Sequence, residues 1–292
     1  ALMFFRFIGG LGVGASSVAA PIYISEIAPK EYRGRLTAIF QFNIVLGILL
    51  AYVSNYLIGA DAPGAWRWML GVEAVPAIAF VILILFVPKS PRWLIVKKGA
   101  IVEAKAVLAL INPHTVDAAF KAIEQTDTTQ SFGFKHFLSG RYNFPILLAF
   151  LFAFFNQLSG INAVIYYAPR IFEMTGMGAN VALLSSAGIG LVNLVFTMVG
   201  LYLIDRIGRR QLMFIGSYGY IISLAAVAYA FFTESFGGAL VPLWLFVFIA
   251  SHAIGQGACI WVFISEVFPN EVRGFGMSLG SGTHWIDLKS VV

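Results

Sequence analysis

Long apolar runs separated by short polar segments dominate the chain, and seven of these runs are about 20 residues long. A transmembrane α-helix needs about that length to cross the hydrocarbon core of a bilayer. The predicted spans are residues 1–24, 39–59, 69–87, 144–172, 181–204, 213–232 and 240–264. An eighth run begins near Phe275 and is interrupted. Because these runs are too long for strands, the pattern predicts an all-α membrane protein.

Basic residues alternate between the predicted loops. The loop after the first span contains Lys30, Arg33 and Arg35, and residues 88–143 contain eight Lys and Arg residues. The loops on the opposite side contain at most one each. Because cytoplasmic loops carry the excess of Lys and Arg, these basic loops are predicted to be cytoplasmic and the first span to run inward. We therefore expect a multi-pass protein of the cell membrane, which is the inner membrane in a bacterium.

The long polar segment of residues 88–143 divides the chain into three parts. Residues 1–87 contain three spans, and residues 144–292 contain the others. Within the polar segment, residues 101–110 and 116–125 mix apolar and charged positions at helical spacing. This pattern predicts a cytoplasmic linker with short amphipathic helices.

The composition excludes several classes of protein. Hydrophobic residues make up 59% of the 292 residues and charged residues 11%, whereas a soluble domain has about 25% charged residues. The single cysteine, Cys259, excludes an internal disulfide and a cysteine-based metal cluster. The four histidines lack metal-ligand spacing, and neither a nucleophile elbow nor a phosphate-binding loop is present. We therefore expect no enzyme activity, no cofactor, no metal and no nucleic-acid partner.

One ten-residue motif occurs twice. Residues 25–34 read SEIAPKEYRG and residues 265–274 read SEVFPNEVRG, so Ser, Glu, Pro, Glu, Arg and Gly recur at the same spacing. Each copy follows a span that is predicted to run inward. Two parallel copies are typical of transporters built from two similar halves related by an axis along the membrane normal.

Together with this repeat, four further motifs resemble the sugar porter family of the major facilitator superfamily. They are RFIGGLGVG at 6–14, PKSPRWL at 88–94, QLSGIN at 157–162 and DRIGRR at 205–210. The family includes bacterial proton–sugar symporters, such as xylose, arabinose and galactose transporters, and animal glucose transporters. The resemblance implies a partial major facilitator fold of about seven and a half of twelve helices, from the fourth to the start of the eleventh. Because the chain also opens inside an apolar run, we expect it to be a fragment.

Three amides in the fourth span, Asn156, Gln157 and Asn162, lie among Phe and Leu. Gln157 and Asn162 are five residues apart, so a regular helix would place them about 140° apart. Ser159 and Gly160 between them can let the helix unwind and turn both side chains inward. The spacing alone fits sugar ligands and interhelical hydrogen bonds equally well. The resemblance favours ligands, with Asn156 at a position where the family usually has a second Gln.

The resemblance implies further sugar-binding residues outside the fourth span, which are Gln41, Asn193, Trp261 and Trp285. Ile48 matches a position that is apolar in glucose transporters, which favours a hexose. For each Trp, packing or an interfacial anchor is the alternative role. Two positions depart from the family pattern, because Ala258 replaces a Pro and His284 stands where many members have Gln or Asn.

The charged residues fall into two predicted roles. Arg6 lies inside an apolar run, and in proton-coupled members of the family the Arg at this position pairs with an Asp of the first helix. The alternative is an Arg that reaches the outer surface. A second set is predicted to form ion pairs that close the cytoplasmic side. Its members are Glu26, Arg33, Arg92, Asp205, Arg209, Glu266 and Arg273.

The sequence therefore predicts transport of a monosaccharide, hexose or pentose, by alternating access and coupled to protons. Its partners would be the sugar, the proton and the lipid bilayer. The alternatives are a sugar facilitator, a sugar sensor that does not transport, and a carrier of another small neutral solute. Carriers of organic ions usually place a charge in the cavity, whereas the spans after Arg6 contain almost none except Glu73.

Overall fold

The computed structural model describes residues 2–28, 33–59, 64–127, 133–204, 206–234, 240–269 and 272–285. These residues form α-helices and contain no strand. The helices are α1 Leu2–Ile27, α2 Arg33–Ile58, α3 Ala65–Gly71, α4 Ala74–Ile84, α5 Pro91–Trp93, α6 Ile101–Ile111, α7 Val116–Asp127, α8 Phe134–Phe137, α9 Asn143–Leu158, α10 Ile161–Met174, α11 Ala179–Leu203, α12 Arg209–Phe232, α13 Leu240–His252, α14 Ala258–Val267 and α15 Arg273–Trp285. Two π-helical turns, Leu94–Lys98 and Ala253–Gly257, follow α5 and α13.

The described residues contain seven helical segments that are long and apolar enough to cross a membrane, as the sequence predicts. They are Met3–Ile24, Ile39–Ile58, Ala65–Ile84, Asn143–Met174, Ala179–Leu203, Arg209–Phe232 and Leu240–Val267. The predicted eighth run forms α15, which begins at Arg273, two residues before Phe275.

The third span differs most from its predicted bounds of 69–87. It begins earlier, at Ala65, so Arg67 lies in the first turn, with its guanidinium 4.5 Å from the centre of the Trp66 ring. The span is also interrupted between α3 and α4. Pro76 explains the interruption, because its ring excludes the carbonyl of Val72 from a regular helix and its nitrogen has no hydrogen to donate.

Helices α6 and α7 coincide to within two residues with residues 101–110 and 116–125, where the sequence predicts short helices, and the role of this segment as a cytoplasmic linker stays a prediction. Ala104 and Val107 of α6 pack with Leu94 in a small buried cluster. The Lys105 ammonium donates to the Asp117 carboxylate at 2.8 Å. This hydrogen bond lowers the pKa of the Asp117 carboxyl below its ordinary value.

The helices divide into two compact units that interleave along the chain. The first contains the described residues of 1–40, 81–151 and 264–286, and the second contains those of 41–80 and 152–263. Buried residues at the centre of the first unit are Phe137, Tyr142, Ala149, Phe268 and Val272. The second unit has a larger core along α10, α11 and α13, which consists of Ile161, Val164, Ala168, Phe172, Ala182, Ile189, Val241, Leu245, Phe248 and Ile249, together with Ala230 of α12. The predicted division at residues 87 and 143 stays a prediction.

Small residues let helices of the second unit approach closely. A Cβ on Gly216 of α12 would lie 2.7 Å from the Cα of Gly255 in the second π-helical turn and 2.7 Å from the Ser251 carbonyl oxygen. Apolar side chains gain little by leaving lipid for a helix interface, so van der Waals contact of this kind is what holds such helices together.

Candidate substrate-binding site

The fourth span is broken at Ser159 and Gly160, where the sequence predicts unwinding. Helix α9 ends at Leu158, and α10 begins at Ile161 after Gly160, whose φ is 78°. An L side chain is strained in that backbone region, which favours glycine here. The turn satisfies its own polar groups, because the Gly160 amide donates to the Gln157 carbonyl at 3.1 Å and the Ser159 hydroxyl donates to the Asn156 carbonyl at 2.6 Å.

The break brings the side chains of Gln157 and Asn162 together. The Asn162 Nδ2 group donates to the Gln157 Oε1 atom across 3.3 Å. Gln157 is buried and Asn162 is half-buried. A regular helix would hold these side chains about 140° apart, so their contact depends on the break between α9 and α10.

Asn156 lies against the seventh span. Its Oδ1 atom is 3.1 Å from the Nε2 atom of His252, and both side chains are buried. The His252 ring also lies 6.3 Å from the ring of Phe248, one turn earlier on α13. No pattern in the sequence indicates a role for His252, which is one of the four histidines without metal-ligand spacing.

One turn beyond His252, Gln256 forms a second polar contact, with the sixth span. Its Nε2 group donates to the Tyr220 hydroxyl at 3.1 Å, and its buried Oε1 atom has no hydrogen-bond partner in the described part of the chain. Gln256 belongs to the π-helical turn Ala253–Gly257. Such turns often mark functional positions in helices. Neither His252 nor Gln256 was predicted from the sequence, although an amide inside an apolar run is a signal for Gln256.

The other predicted ligands lie in different surroundings. Gln41 is half-buried near the start of α2, and its Oε1 atom is buried without a hydrogen-bond partner among the described residues. Asn193 is buried on α11, and Trp261 is buried on α14. Gly190, one turn before Asn193, lies so close to α2 that a Cβ there would be 3.0 Å from the Cα of Leu49.

In the second unit, contacts join the fourth span to the second and seventh spans. The Tyr52 hydroxyl of α2 donates to the Ile165 carbonyl of α10. Asn156 joins α9 to His252 at the end of α13. The predicted ligands Asn156, Gln157 and Asn162 therefore lie on a span that is fixed by polar contacts on both sides of its break.

Trp285 and Arg6 belong to the first unit. Trp285 ends the described part of α15, is partly exposed, and meets the His284 ring edge-on at 5.3 Å between ring centres. Arg6 is exposed on α1. Within the described residues, no carboxylate lies at ion-pair distance from Arg6.

The predicted gate residues are only partly visible. Asp205 lies outside the described residues, as does the side chain of Arg33. In the first unit, the Glu26 carboxylate accepts a hydrogen bond from the Ser90 hydroxyl, and the Tyr23 hydroxyl donates to the Pro88 carbonyl at 2.7 Å. These contacts join the end of α1 to the start of the linker.

The remaining gate residues lie at helix ends. Arg92 is in α5, Glu266 is near the end of α14, and Arg209 and Arg273 are the first residues of α12 and α15. Their pairing into a gate stays a prediction.

The chemistry of the second unit is that of neutral donors and acceptors. Amides, an imidazole and an indole are buried there among apolar side chains, beside the half-buried phenol of Tyr220, and each can donate or accept a hydrogen bond with a hydroxyl-rich molecule. In the described part of the chain, no group of three or more His, Cys, Asp or Glu side chains is arranged to hold a metal ion.

Comparisons with known proteins agree with the motifs. A profile of the family described as "Sugar (and other) transporter" matches residues 1–287. The protein YwtG of Bacillus subtilis is 40% identical over 285 residues, covering 96% of this chain and 62% of YwtG. The D-xylose-proton symporter of Escherichia coli is 34% identical over 292 residues, covering 97% of this chain and 58% of the symporter.

The fold agrees as well. The structure of the proton:xylose symporter XylE bound to 6-bromo-6-deoxy-D-glucose matches with a TM-score of 0.80 at 33% identity, covering 97% of this chain and 60% of XylE. The chain thus spans about three fifths of the length of these proteins. Over that length it is a multi-pass membrane protein with the major facilitator fold, and it belongs to the sugar (and other) transporter family.

Proposed function

We propose that this protein moves a monosaccharide across the cell membrane by alternating access, coupled to protons. The observation that carries the proposal is the broken fourth span, where half-buried Asn162 bonds to buried Gln157, which buried Asn156 directly precedes, with no charged residue between positions 156 and 162. A neutral, hydroxyl-rich substrate suits such a site because each hydroxyl donates and accepts one or more hydrogen bonds.

The hydrogen bond between Gln157 and Asn162 is one that the two amides can exchange for bonds to a substrate. At 3.3 Å it is longer than the usual length of about 2.9–3.0 Å for an N–H···O bond. Unpaired buried amide groups are costly, so this contact can satisfy one donor of Asn162 and the acceptor of Gln157 when no substrate is bound. A sugar with adjacent hydroxyls can replace it with two bonds, one to each amide. Trp261 then offers an indole face for the apolar side of the ring.

The named relatives support the substrate class and the coupling. The D-xylose-proton symporter of Escherichia coli and the symporter XylE carry a pentose together with a proton. Arg6 supports coupling because an Arg in an apolar span requires a carboxylate or a polar cavity. A carboxylate that pairs with Arg6 in one conformation and takes up a proton in another would link the two movements.

Alternating access requires that the two predicted halves close in turn on each side of the substrate. The contacts of Glu26 with Ser90 and of Tyr23 with the Pro88 carbonyl support a linker that moves with the end of the first span. Exposed ion pairs of the predicted gate contribute only about 0–1 kcal/mol each. A network of them is still sufficient to bias two conformations of similar free energy.

The test uses the protein expressed from its complete gene and reconstituted into vesicles. We expect saturable uptake of D-glucose, D-galactose, D-xylose or L-arabinose, with competition among the sugars that bind. Equilibrium binding without uptake would identify a sensor instead. Saturable uptake of a different neutral solute, with no binding of any of the four sugars, would contradict the proposed substrate class.

A further inference from the structure

His252 is a buried imidazole within the seventh span, at the last residue of α13 before the π-helical turn. Its Nε2 atom is 3.1 Å from the Oδ1 atom of Asn156. An amide oxygen has no hydrogen and can only accept. The ring nitrogen in this contact therefore carries the hydrogen, and His252 donates to Asn156.

This bond orients the Asn156 amide. With Oδ1 held by the seventh span, the Nδ2 group lies on the other side of the amide carbon, turned away from the imidazole. Asn156 directly precedes Gln157, whose own Oε1 atom is held by Asn162. The side-chain oxygens of two adjacent amides of the broken span thus each take part in a hydrogen bond, one to His252 and one to Asn162, and each bond favours one direction for the NH₂ group of its amide.

Packing alone does not explain an imidazole at this position. The neighbouring Phe248 and the buried Ile249 are apolar, and an apolar side chain would fill the same space. Burying a His and an Asn in an apolar span is unfavourable unless they are hydrogen-bonded, and here the two bond to each other. The pair therefore provides orientation, which an apolar contact would not.

We propose that His252 is a positioning residue of the substrate site, which holds the Asn156 amide in the orientation that donates to a substrate hydroxyl. The inference rests on the proposed function, because it assigns His252 a role in binding the same monosaccharide. Fixing a side chain before binding removes an entropic cost that would otherwise weaken affinity.

The experiment is a double-mutant cycle on the protein expressed from its complete gene, measured as the equilibrium Kd of whichever of the four sugars binds best. We expect His252→Phe to raise Kd by about two- to tenfold. His252→Gln, whose side-chain NH₂ group also donates, should restore most of the affinity. The double variant His252→Phe with Asn156→Ala should bind no more weakly than Asn156→Ala alone, because the two residues act as one unit.

The matched control is His114→Phe, since His114 is exposed in the linker turn Pro113–Thr115. It should leave Kd unchanged. His252→Met, which fills the space without a donor, provides the same comparison where His252→Phe fails to fold. An additive cycle, or an unchanged Kd in both His252→Phe and His252→Met, overturns the role of His252 while sugar binding by the wild type stands. Absence of binding of all four sugars by the wild type overturns the proposed function and this role together.

Discussion

The Nδ2 atom of Asn162 lies 3.3 Å from the Oε1 atom of Gln157, although a continuous helix would turn the two side chains about 140° apart. The contact exists because Gly160 reverses the sign of φ between α9 and α10. The same residue therefore fixes the backbone of the fourth span and the geometry of its amides. Backbone strain introduced at Gly160 should therefore lower the affinity for the substrate.

Replacing Gly160 with Ala tests this relationship. Its φ of 78° costs an L residue about 1–2 kcal/mol, and the break should shift to relieve that strain. We expect Gly160→Ala to raise the Kd for the transported sugar and to lower the melting temperature in detergent. Binding by isothermal titration calorimetry and unfolding by intrinsic fluorescence measure the two effects.

Gly178→Ala is the matched control for Gly160→Ala. Gly178 precedes α11 with φ −65° and ψ 152°, a conformation that alanine adopts without strain, and a Cβ there meets no described atom within 4 Å. Its Kd should equal that of the wild type. An unchanged Kd in Gly160→Ala itself would show that the break does not align the amides.

The amide side chains themselves give a second prediction. Gln157→Ala and Asn162→Ala should each weaken sugar binding by about two- to tenfold, the equivalent of one hydrogen bond, without blocking membrane insertion. The comparison is Asn143→Ala, at the exposed first residue of the same span. Purified variants that both retain wild-type affinity would refute their assignment as ligands.

The sequence predicted the spans because one physical quantity, the length of an apolar run, decides whether a helix crosses a bilayer. It misplaced the start of the third span because Arg67 reads as a loop residue, whereas the structure places its guanidinium over Trp66 within the helix. Charge alone therefore does not mark the end of a span when an aromatic ring is beside it.

The break in the fourth span was predicted because its cause is local, whereas the contacts between spans were not predicted. Ser159 and Gly160 were sufficient to expect that the helix unwinds and turns Gln157 and Asn162 inward. His252 and Gln256 bond to residues 96 and 36 positions away, and contacts over such distances leave no periodic signal in a single sequence. The sequence around Asn156 or Tyr220 does not indicate which residue each side chain bonds to, because that pairing depends on how the helices pack.

Helix packing in the second unit gives a third prediction. A Cβ on Gly216 would lie 2.7 Å from backbone atoms of Gly255 and Ser251, so α12 and the π-helical turn must separate to accommodate it. Overpacking of this kind costs about 1–3 kcal/mol. We expect Gly216→Ala to lower the melting temperature of the protein in detergent by several degrees.

The comparison for Gly216→Ala is Gly47→Ala, inside α2. A Cβ on Gly47 meets no described atom within 4 Å, and alanine favours the helix over glycine by about 1 kcal/mol. This variant should unfold at the wild-type temperature or above it. Equal melting temperatures for the two variants would contradict close packing at Gly216.

The last prediction concerns energy coupling and Arg6. An Arg at the centre of a membrane helix costs about 2.5–3.5 kcal/mol on insertion scales, and no carboxylate of the described residues pairs with it. In a symporter, a carboxylate that pairs with Arg6 would release it when protonated, so that proton uptake and substrate movement occur together. In a facilitator, Arg6 would reach the outer surface and take no part in the cycle.

Uptake into vesicles by the protein expressed from its complete gene distinguishes these two roles. For a symporter, we expect sugar uptake to rise when the outside is acidified and to collapse when a protonophore removes the proton gradient. Arg6→Ala should abolish accumulation against a sugar gradient and leave sugar exchange partly intact, because exchange needs the binding site but no net proton movement. Arg170→Ala is the control, since Arg170 has its own carboxylate, that of Glu173, at 3.2 Å. Its accumulation should match that of the wild type. Uptake that is indifferent both to external pH and to the protonophore would identify a facilitator, and in that case the Arg6→Ala variant should equilibrate the sugar as the wild type does.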